Sequence, residues 1–224
     1  MKKDSITILI PAYNEEKRIG EVLAELVKLE IPIVVVDDGS SDETAQVAGR
    51  FNVIVARHMV NLGQGAALRT GTELAMKLGF ETIMHFDADG QHDVEIIRPM
   101  LDALAKNEHD VIFASRFLGE KLVMPTYKKV ILIAAKIFGR VFLQIKFTDP
   151  QSGLRAFTAA AYHSLRWRAN DFRHCTEILI NVARSDLRWR ELPTIVRYDS
   201  YSTAKAKRPQ MRMAWKMLME ALFR

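Results

Sequence analysis

Residues 33–42, IVVVDDGSSD, carry four β-branched residues straight into two carboxylates and a turn. An apolar run without alternation suits a strand buried on both faces, and the acidic ending marks where it surfaces. The same grammar recurs at 6–10 (ITILI), 53–56 (VIVA), 82–86 (TIMHF) and 111–114 (VIFA). Helical patterns lie between them, at 15–29 with Ile19, Leu23, Leu26 and Val27 inward, then at 41–50, 65–78 and 93–106. Four such alternations imply right-handed crossovers and an α/β fold with a mainly parallel central sheet flanked by helices. Such sheets bind ligands beyond the carboxyl ends of their strands. This chain places Tyr13, Asn14 and Glu15 there, then Asp37 and Asp38, then Asp87 and Asp89.

After about residue 120 the alternation gives way to longer helices and one late strand at 191–198. The charge changes at the same point. The 224 residues carry a formal +5, yet residues 1–120 hold 12 basic and 20 acidic side chains (−8) and residues 121–224 hold 20 and 7 (+13). An apolar fraction of 49% supports one well-cored domain and excludes a disordered or collagen-like chain. Cys175 is the only cysteine, so no intrachain disulfide forms and a reducing, cytoplasmic setting is expected. The opening MKKDSITILIPAY has too short an apolar run for a signal peptide, and no stretch approaches the roughly 18 apolar residues that span a bilayer. Two basic amphipathic stretches suit a membrane surface instead: 128–145, with Lys129, Lys136 and Arg140 on one helical face, and 209–224, where Arg212, Lys216, Glu220 and Arg224 recur every four residues. Core helices with a charged stripe, or docking to a protein, account for the same pattern.

In HFDADGQH, residues 85–92, Asp87, Asp89 and Gln91 alternate at a strand end. Two carboxylates and an amide oxygen are hard ligands suited to Mg²⁺ or Mn²⁺. They also serve as turn formers and helix caps. Asp37 and Asp38 are adjacent like charges, so ribose hydroxyls, a base edge or a metal shell would relieve a repulsion that folding alone does not demand. Ser40 and Glu43 have capping-box spacing for the next helix. NLGQGAAL at 61–68 is a glycine-rich turn into a helix, but Leu68 replaces the third glycine of a dinucleotide fingerprint, and the first strand-to-helix turn reads PAYNEE. A hydride-transfer enzyme is disfavoured. Those glycines let backbone approach a ligand or start a tight helix.

PAYNEE at 11–16, VDDGSSD at 36–42, NLGQGAAL at 61–68, DADGQH at 87–92, SR at 115–116 and DPQSGLRAF at 149–157 stand in the order and spacing of inverting GT-A glycosyltransferases. The chain resembles the dolichyl-phosphate mannose synthases and bacterial polyprenyl-phosphate glycosyltransferases over most of residues 6–205. The resemblance implies a GT-A fold in one domain, residues 1–208. A nucleotide-sugar and metal half would span 1–120 and an acceptor half 121–208, with a terminal basic helix at 209–224. It sets Pro11, Tyr13, Glu15, Asp37 and Asp38 at the nucleotide, with Gln64 where a basic residue is frequent. Asp87, Asp89 and Gln91 match the metal and diphosphate motif. Arg116 and Arg155 fall at phosphate contacts near the acceptor, Glu177 on a helix beside the active site, and Arg197 and Lys205 on a basic loop over the phosphates. Asp89, Arg116 and Glu177 are then the catalytic candidates. Leu154 replaces an aromatic residue common in the family.

A sugar hydroxyl acceptor must lose a proton to a carboxylate base, whereas a polyprenyl phosphate is already an anion. Here Glu177 is followed by Ile178, so the Glu-Asp pair of hydroxyl-directed relatives is absent, and neither HSLRW at 163–167 nor SDLRW at 185–189 supplies the glutamine of Q-x-x-R-W. The expected activity is metal-dependent hexose transfer from a GDP-mannose or UDP-glucose type donor to a dolichyl or undecaprenyl phosphate, peripherally on the inner membrane face. Transfer to a hydroxyl of a glycan or small acceptor is the competing activity, and a non-catalytic nucleotide-sugar-binding module the competing class. The basic excess falls in the acceptor half and suits a lipid phosphate better than nucleic acid. Oligomeric state stays open.

Overall fold

A computed structural model describes residues 5–119, 133, 137, 140, 146–149 and 153–196. Seven strands form one sheet: β1 (Ile6–Ala12), β2 (Ile33–Asp37), β3 (Ile54–Arg57), β4 (Thr82–His85), β5 (Val111–Ser115), β6 (Arg155–Thr158) and β7 (Trp189–Pro193). Their order is β3-β2-β1-β4-β6-β5-β7. Every pairing is parallel except those of β6, which runs antiparallel between β4 and β5. The five apolar runs are the first five strands, in the parallel arrangement their lack of alternation predicts.

The period-two geometry of the strands sorts the helices to two faces. Ile8 and Ile10 of β1, Ile33 and Val35 of β2 and Met84 of β4 point to one side, packing against α1 (Ile19–Leu26), α2 (Thr44–Ala48) and α4 (Ile97–Ala105). Leu9, Val34, Val36 and Ile83 point to the other, against α3 (Gln64–Lys77), α5 (Tyr162–Leu165) and α6 (Arg173–Ala183). Fully burying one such aliphatic side chain contributes about 1.5–3 kcal/mol, so this double core is the main stabilising term.

The helix boundaries differ from the sequence pattern for local reasons. The pattern at 15–29 starts as a turn, and α1 begins at Ile19, whose N–H, like that of Arg18, donates to Glu15 O at 2.9 Å. The 41–50 pattern shortens to α2, and its expected Ser40–Glu43 capping box does not form. Ser40 Oγ accepts the Asn14 N–H at 2.9 Å, and Asp42 Oδ1 instead takes the Thr44 N–H at 3.0 Å. Asn14 has a left-handed φ of 52°, which an asparagine tolerates. The pattern at 93–106 opens with a 3₁₀ turn, Val94–Ile96, capped by Asp93, before α4.

Strand β6 escaped the sequence pattern because it is short and begins with a buried arginine. The late strand begins earlier than expected, at Trp189, and ends at Pro193. Of the basic stretch 128–145, only Ile133, Ile137 and Arg140 are described, each helical and exposed. The stretch 209–224, and with it the expected boundary at 208, lies outside the described residues.

Helix α3 crosses the sheet through Gly71, where an added Cβ would collide with Leu9 Cδ1 and lie 2.9 Å from Val36 Cγ2. Alanine normally favours a helix interior over glycine by about 1 kcal/mol. Leu9 and Val36 are fully buried and have nowhere to move, so overpacking outweighs propensity. Gly71→Ala is expected to destabilise the protein by about 1–3 kcal/mol, read as a melting temperature several degrees lower. A rise would show that the helix stands off the sheet.

Candidate functional site

The carboxyl ends of β1, β2 and β4 open on one edge of the sheet, and the acidic residues of the sequence pattern gather there. Beyond β1, Tyr13 is 43% exposed and Glu15 only 7%. Glu15 N–H donates to Thr44 Oγ1 at 2.8 Å and Ser41 N–H to Asn14 Oδ1 at 3.0 Å, so the turns after β1 and β2 brace each other. Pro11 and Ala12 sit within β1, in register with Val36 and Asp37.

Asp37 and Asp38 point inward and find protein partners, so folding meets part of the repulsion for which a ligand was expected, although Asp37 Oδ2, in ion-pair range of Arg57, accepts no hydrogen bond. Arg57, in register with Asp37 on β3, brings its Nε to 2.9 Å from Asp37 Oδ2, and the Ser40 N–H donates to Asp37 Oδ1 at 3.1 Å. Asp38, 2% exposed, accepts from His58 Nδ1 at 2.7 Å, from the Leu62 N–H at 3.0 Å and from the Gly63 N–H at 2.7 Å. Folding itself gives each carboxylate partners: Asp37 an arginine, Asp38 an imidazole and the amides leading into α3. Arg57 and His58 were missed in the sequence, although an arginine ending the strand beside an aspartate-ended one is a legible signal.

Asp87 and Asp89 follow β4 and are treated differently by their surroundings. Gln64, the first residue of α3, donates from Nε2 to Asp87 Oδ1 at 3.0 Å, and His92 Nε2 stands 3.4 Å from Asp87 Oδ2. Gly153 leaves room for the carboxylate on another side, since a Cβ there would lie only 2.6 Å from Asp87 Oδ2. Burial alone would raise the Asp87 carboxyl, but the His92 hydrogen bond and the charges of His92 and Arg155 hold it below its ordinary value. Asp89 goes the other way. Burial, then repulsion from Asp87 with a smaller contribution from Glu15, push it up to about 6, against the Gln91 N–H that donates to its Oδ1 at 3.0 Å. Gln91 thus enters through its backbone amide. His92, quoted in the motif but given no role there, is the additional residue that the structure brings to Asp87.

The remaining described candidates are engaged by partners within the protein. Arg116 forks onto Asp149, with Nε 2.6 Å from Oδ2 and Nη2 2.7 Å from Oδ1. Arg155, 1% exposed on β6, donates to Gly153 O at 3.2 Å and to His174 Nε2 at 3.2 Å, beneath Asp87. It reaches Asp87 through its field. Glu177 Oε2 accepts the N–H groups of Arg168 at 2.7 Å and Ala169 at 2.9 Å. Arg197 and Lys205 lie outside the described residues, of which the last, Val196, bridges His92.

A mainly parallel sheet with one antiparallel strand, and an acidic pair ending β4, define the GT-A class of nucleotide-sugar transferases. The crystal structure of glucosyl-3-phosphoglycerate synthase from Mycobacterium tuberculosis, in complex with Mn²⁺, UDP and phosphoglyceric acid, has this fold. It matches with a TM-score of 0.71 over 97% of this chain and 78% of its own at 17% identity. The chain belongs to glycosyl transferase family 2, whose model matches residues 7–165, and it is a glycosyltransferase. The UDP-N-acetylglucosamine–dolichyl-phosphate N-acetylglucosaminyltransferase of Methanococcus voltae is 32% identical over 222 residues, 89% of this chain and 88% of its own. A dolichyl-phosphate β-glucosyltransferase of Trichomonas vaginalis is 27% identical over 97% of this chain and 73% of its own. Among the described residues, no helix is long and apolar enough to cross a membrane.

The raised Asp89 carboxyl has a sign that can be measured. Its unfolded value is near 3.8 and its folded value near 6, so the folded state holds the extra proton between them. Its contribution to stability is full below pH 4 and lost as pH rises through 6. Asp89→Asn is expected to stabilise the metal-free protein at pH 7.5, on the order of 1–2 kcal/mol, with the gain vanishing towards pH 4. Paired thermal melts across that range check it, and a gain independent of pH would assign the effect to something other than the charge.

Proposed function

We propose that this chain transfers one hexose from a nucleotide sugar of GDP-mannose or UDP-glucose type to a polyprenyl phosphate, dolichyl or undecaprenyl. It would act with Mg²⁺ or Mn²⁺, lying peripherally on the cytoplasmic face of the membrane. What carries the proposal is the acidic pair: Asp87 is compensated by its neighbours, whereas Asp89 stands in its field with its carboxyl pushed up to about 6. A divalent cation relieves that strain, and the donor set of two carboxylates and the Gln91 amide oxygen fits a hard ion. Among the described residues, no three His, Cys, Asp or Glu side chains meet closely enough to hold a metal unaided. That accords with an ion that takes the rest of its shell from diphosphate oxygens and water. When bound, such an ion supplies charge neutralisation to a departing nucleoside diphosphate.

The chain's own residues divide the remaining tasks. Tyr13 offers an exposed ring, and Glu15 a buried carboxylate near Asp89, at the nucleotide side. Pro11, Asp37 and Asp38 shape that wall from within, Asp38 by fixing the amides of Leu62 and Gly63. Gln64 and His92 orient Asp87, while Arg155 supplies a fixed positive field below it. Asp149 holds the Arg116 fork at the end of β5; Arg197 and Lys205, outside the described residues, are the further cations that the family resemblance offers for the donor and acceptor phosphates. The lipid phosphate is favoured over a hydroxyl because Glu177, the carboxylate the resemblance offers as a base, is engaged through Oε2 by two loop amides. An anionic acceptor needs no such base. The named dolichyl-phosphate transferases among the relatives support the same acceptor class.

Membranes from cells overproducing the chain, incubated with labelled GDP-mannose, UDP-glucose or UDP-N-acetylglucosamine, test this. The label is expected in an organic-soluble, mild-acid-labile lipid, abolished by EDTA, restored by Mn²⁺ or Mg²⁺, and reduced at least about 100-fold by Asp89→Ala. Label confined to water-soluble glycan sinks the lipid acceptor, and full activity of the Asp89 variant sinks the metal assignment.

A further inference from the structure

We infer that Glu177 is a positioning residue, which sets the first turn of α3, and through it Gln64 against Asp87, from the far side of the domain. The inference rests on Asp87 and Asp89 forming the donor site. Glu177 lies on α6 and spends no contact on that site: its Oε2 draws in the N–H groups of Arg168 and Ala169. A carboxylate bonded to two amides fixes the loop that carries them.

That loop is pressed against the start of α3. Asn170 O accepts the Gly65 N–H at 2.7 Å and the Ala66 N–H at 3.3 Å, so loop carbonyls satisfy first-turn amides that a helix cannot satisfy itself. The buried Trp167 Nε1–H donates to Gly65 O at 2.7 Å. Arg69, one turn further along α3, ties back with Nη2 at 2.7 Å from Asn170 Oδ1 and Nη1 at 3.3 Å from Arg168 O. The packing leaves no slack. A Cβ on Gly65 would collide with Ala169 O, and one on Gly63, whose φ of 100° already favours glycine, with Asn170 O.

On its opposite side the same turn is held by Asp38 through Leu62 N–H and Gly63 N–H. Gln64 projects between these two grips and bonds to Asp87 at 3.0 Å. Loosening the 167–170 loop therefore shifts Gln64 before anything else in the site.

The test compares full-length Glu177→Gln and Glu177→Ala with the wild type. Glutamine keeps an acceptor oxygen for the loop amides but is no base. Alanine removes both. Two readouts are taken: Mn²⁺-dependent binding of UDP and of GDP, and the pH profile of kcat with the preferred donor. Positioning predicts that Glu177→Ala weakens nucleotide binding about tenfold or more, while Glu177→Gln stays within about threefold of wild type with an unchanged pH profile. A glutamine variant as inactive as the alanine one, with the acidic limb of the profile lost and nucleotide binding intact, would make Glu177 a proton acceptor and overturn the inference. Wild-type binding in the alanine variant overturns it as well. Should Glu177→Ala fail to fold, Arg69→Ala loosens the same loop from the exposed surface, and the same loss of nucleotide binding is expected, its absence again overturning the inference. A wild type that binds neither nucleotide with Mn²⁺ defeats the donor-site assignment itself, a result distinct from any variant's behaviour.

Discussion

Two carboxylates at the end of β4 stand in each other's field, and the protein compensates only one of them. Asp87 receives a side-chain amide from Gln64, an imidazole from His92, the buried charge of Arg155 and the room left by Gly153. These come from α3, from the turn after β4, and from β6 with the segment before it. Asp89 receives one backbone N–H and a weaker pull from His92, and burial and the charge of Asp87 outweigh both to push it towards its neutral form. The asymmetry makes Asp87 a fixed anion and Asp89 an anion that gains most from a cation, a state that costs stability and is tolerated where function needs it. Placing so many partners around Asp87 also explains why β6 runs antiparallel into the centre of the sheet. Inserted beside β4 in register with His85, it delivers Arg155 beneath Asp87 from a strand that no βαβ crossover would bring there.

The first half of this arrangement was legible in the sequence and the second was not. Buried parallel strands announce themselves as unbroken β-branched runs, so β1 to β5 and the acidic ends of β1, β2 and β4 could be placed from composition alone. Strand β6 could not: RAFT is four residues long, begins with a charge and follows a turn-rich stretch. Arginine reads as surface in any hydropathy pattern, and its burial is intelligible only once the field of Asp87 is known. What surrounds the adjacent carboxylates Asp37 and Asp38 is likewise set by the fold. Their partners, Arg57 and His58, are about twenty residues away in sequence and come close only because β2 and β3 are parallel and end together.

The glycine-rich turn at 61–68 shows how one motif supports two physical explanations. Its glycines permit a close approach of backbone, but what approaches is the protein's own 169–170 segment. A helix N-terminus with free amides would be a ready anion site. In α3 the amides of Gly65 and Ala66 are engaged by Asn170, and the helix contributes Gln64 in place of its dipole. The turn at 61–66 is joined to the 167–170 segment by hydrogen bonds beside the apolar core they share, so the geometry around Asp87 depends on residues about a hundred positions further along the chain.

The +13 charge of residues 121–224 changes meaning once these contacts are counted. Several of its described arginines are internally engaged: Arg155 with His174, Arg173 with Asp171, and Arg188 with Asp110. An exposed pair such as Arg188 with Asp110 contributes little to stability, since water and salt screen it. Asp149 is different, because it is buried and accepts both arms of the Arg116 fork, while Glu191 takes the Thr148 and Asp149 N–H groups from the other side. Arg116 is thus already committed to a buried carboxylate, and its bonds to Asp149 are part of what a phosphate at this edge would meet. A phosphate that approached this edge of the sheet would either bind the outer face of an intact Arg116–Asp149 pair or compensate for breaking it, and breaking a buried pair is the costlier course.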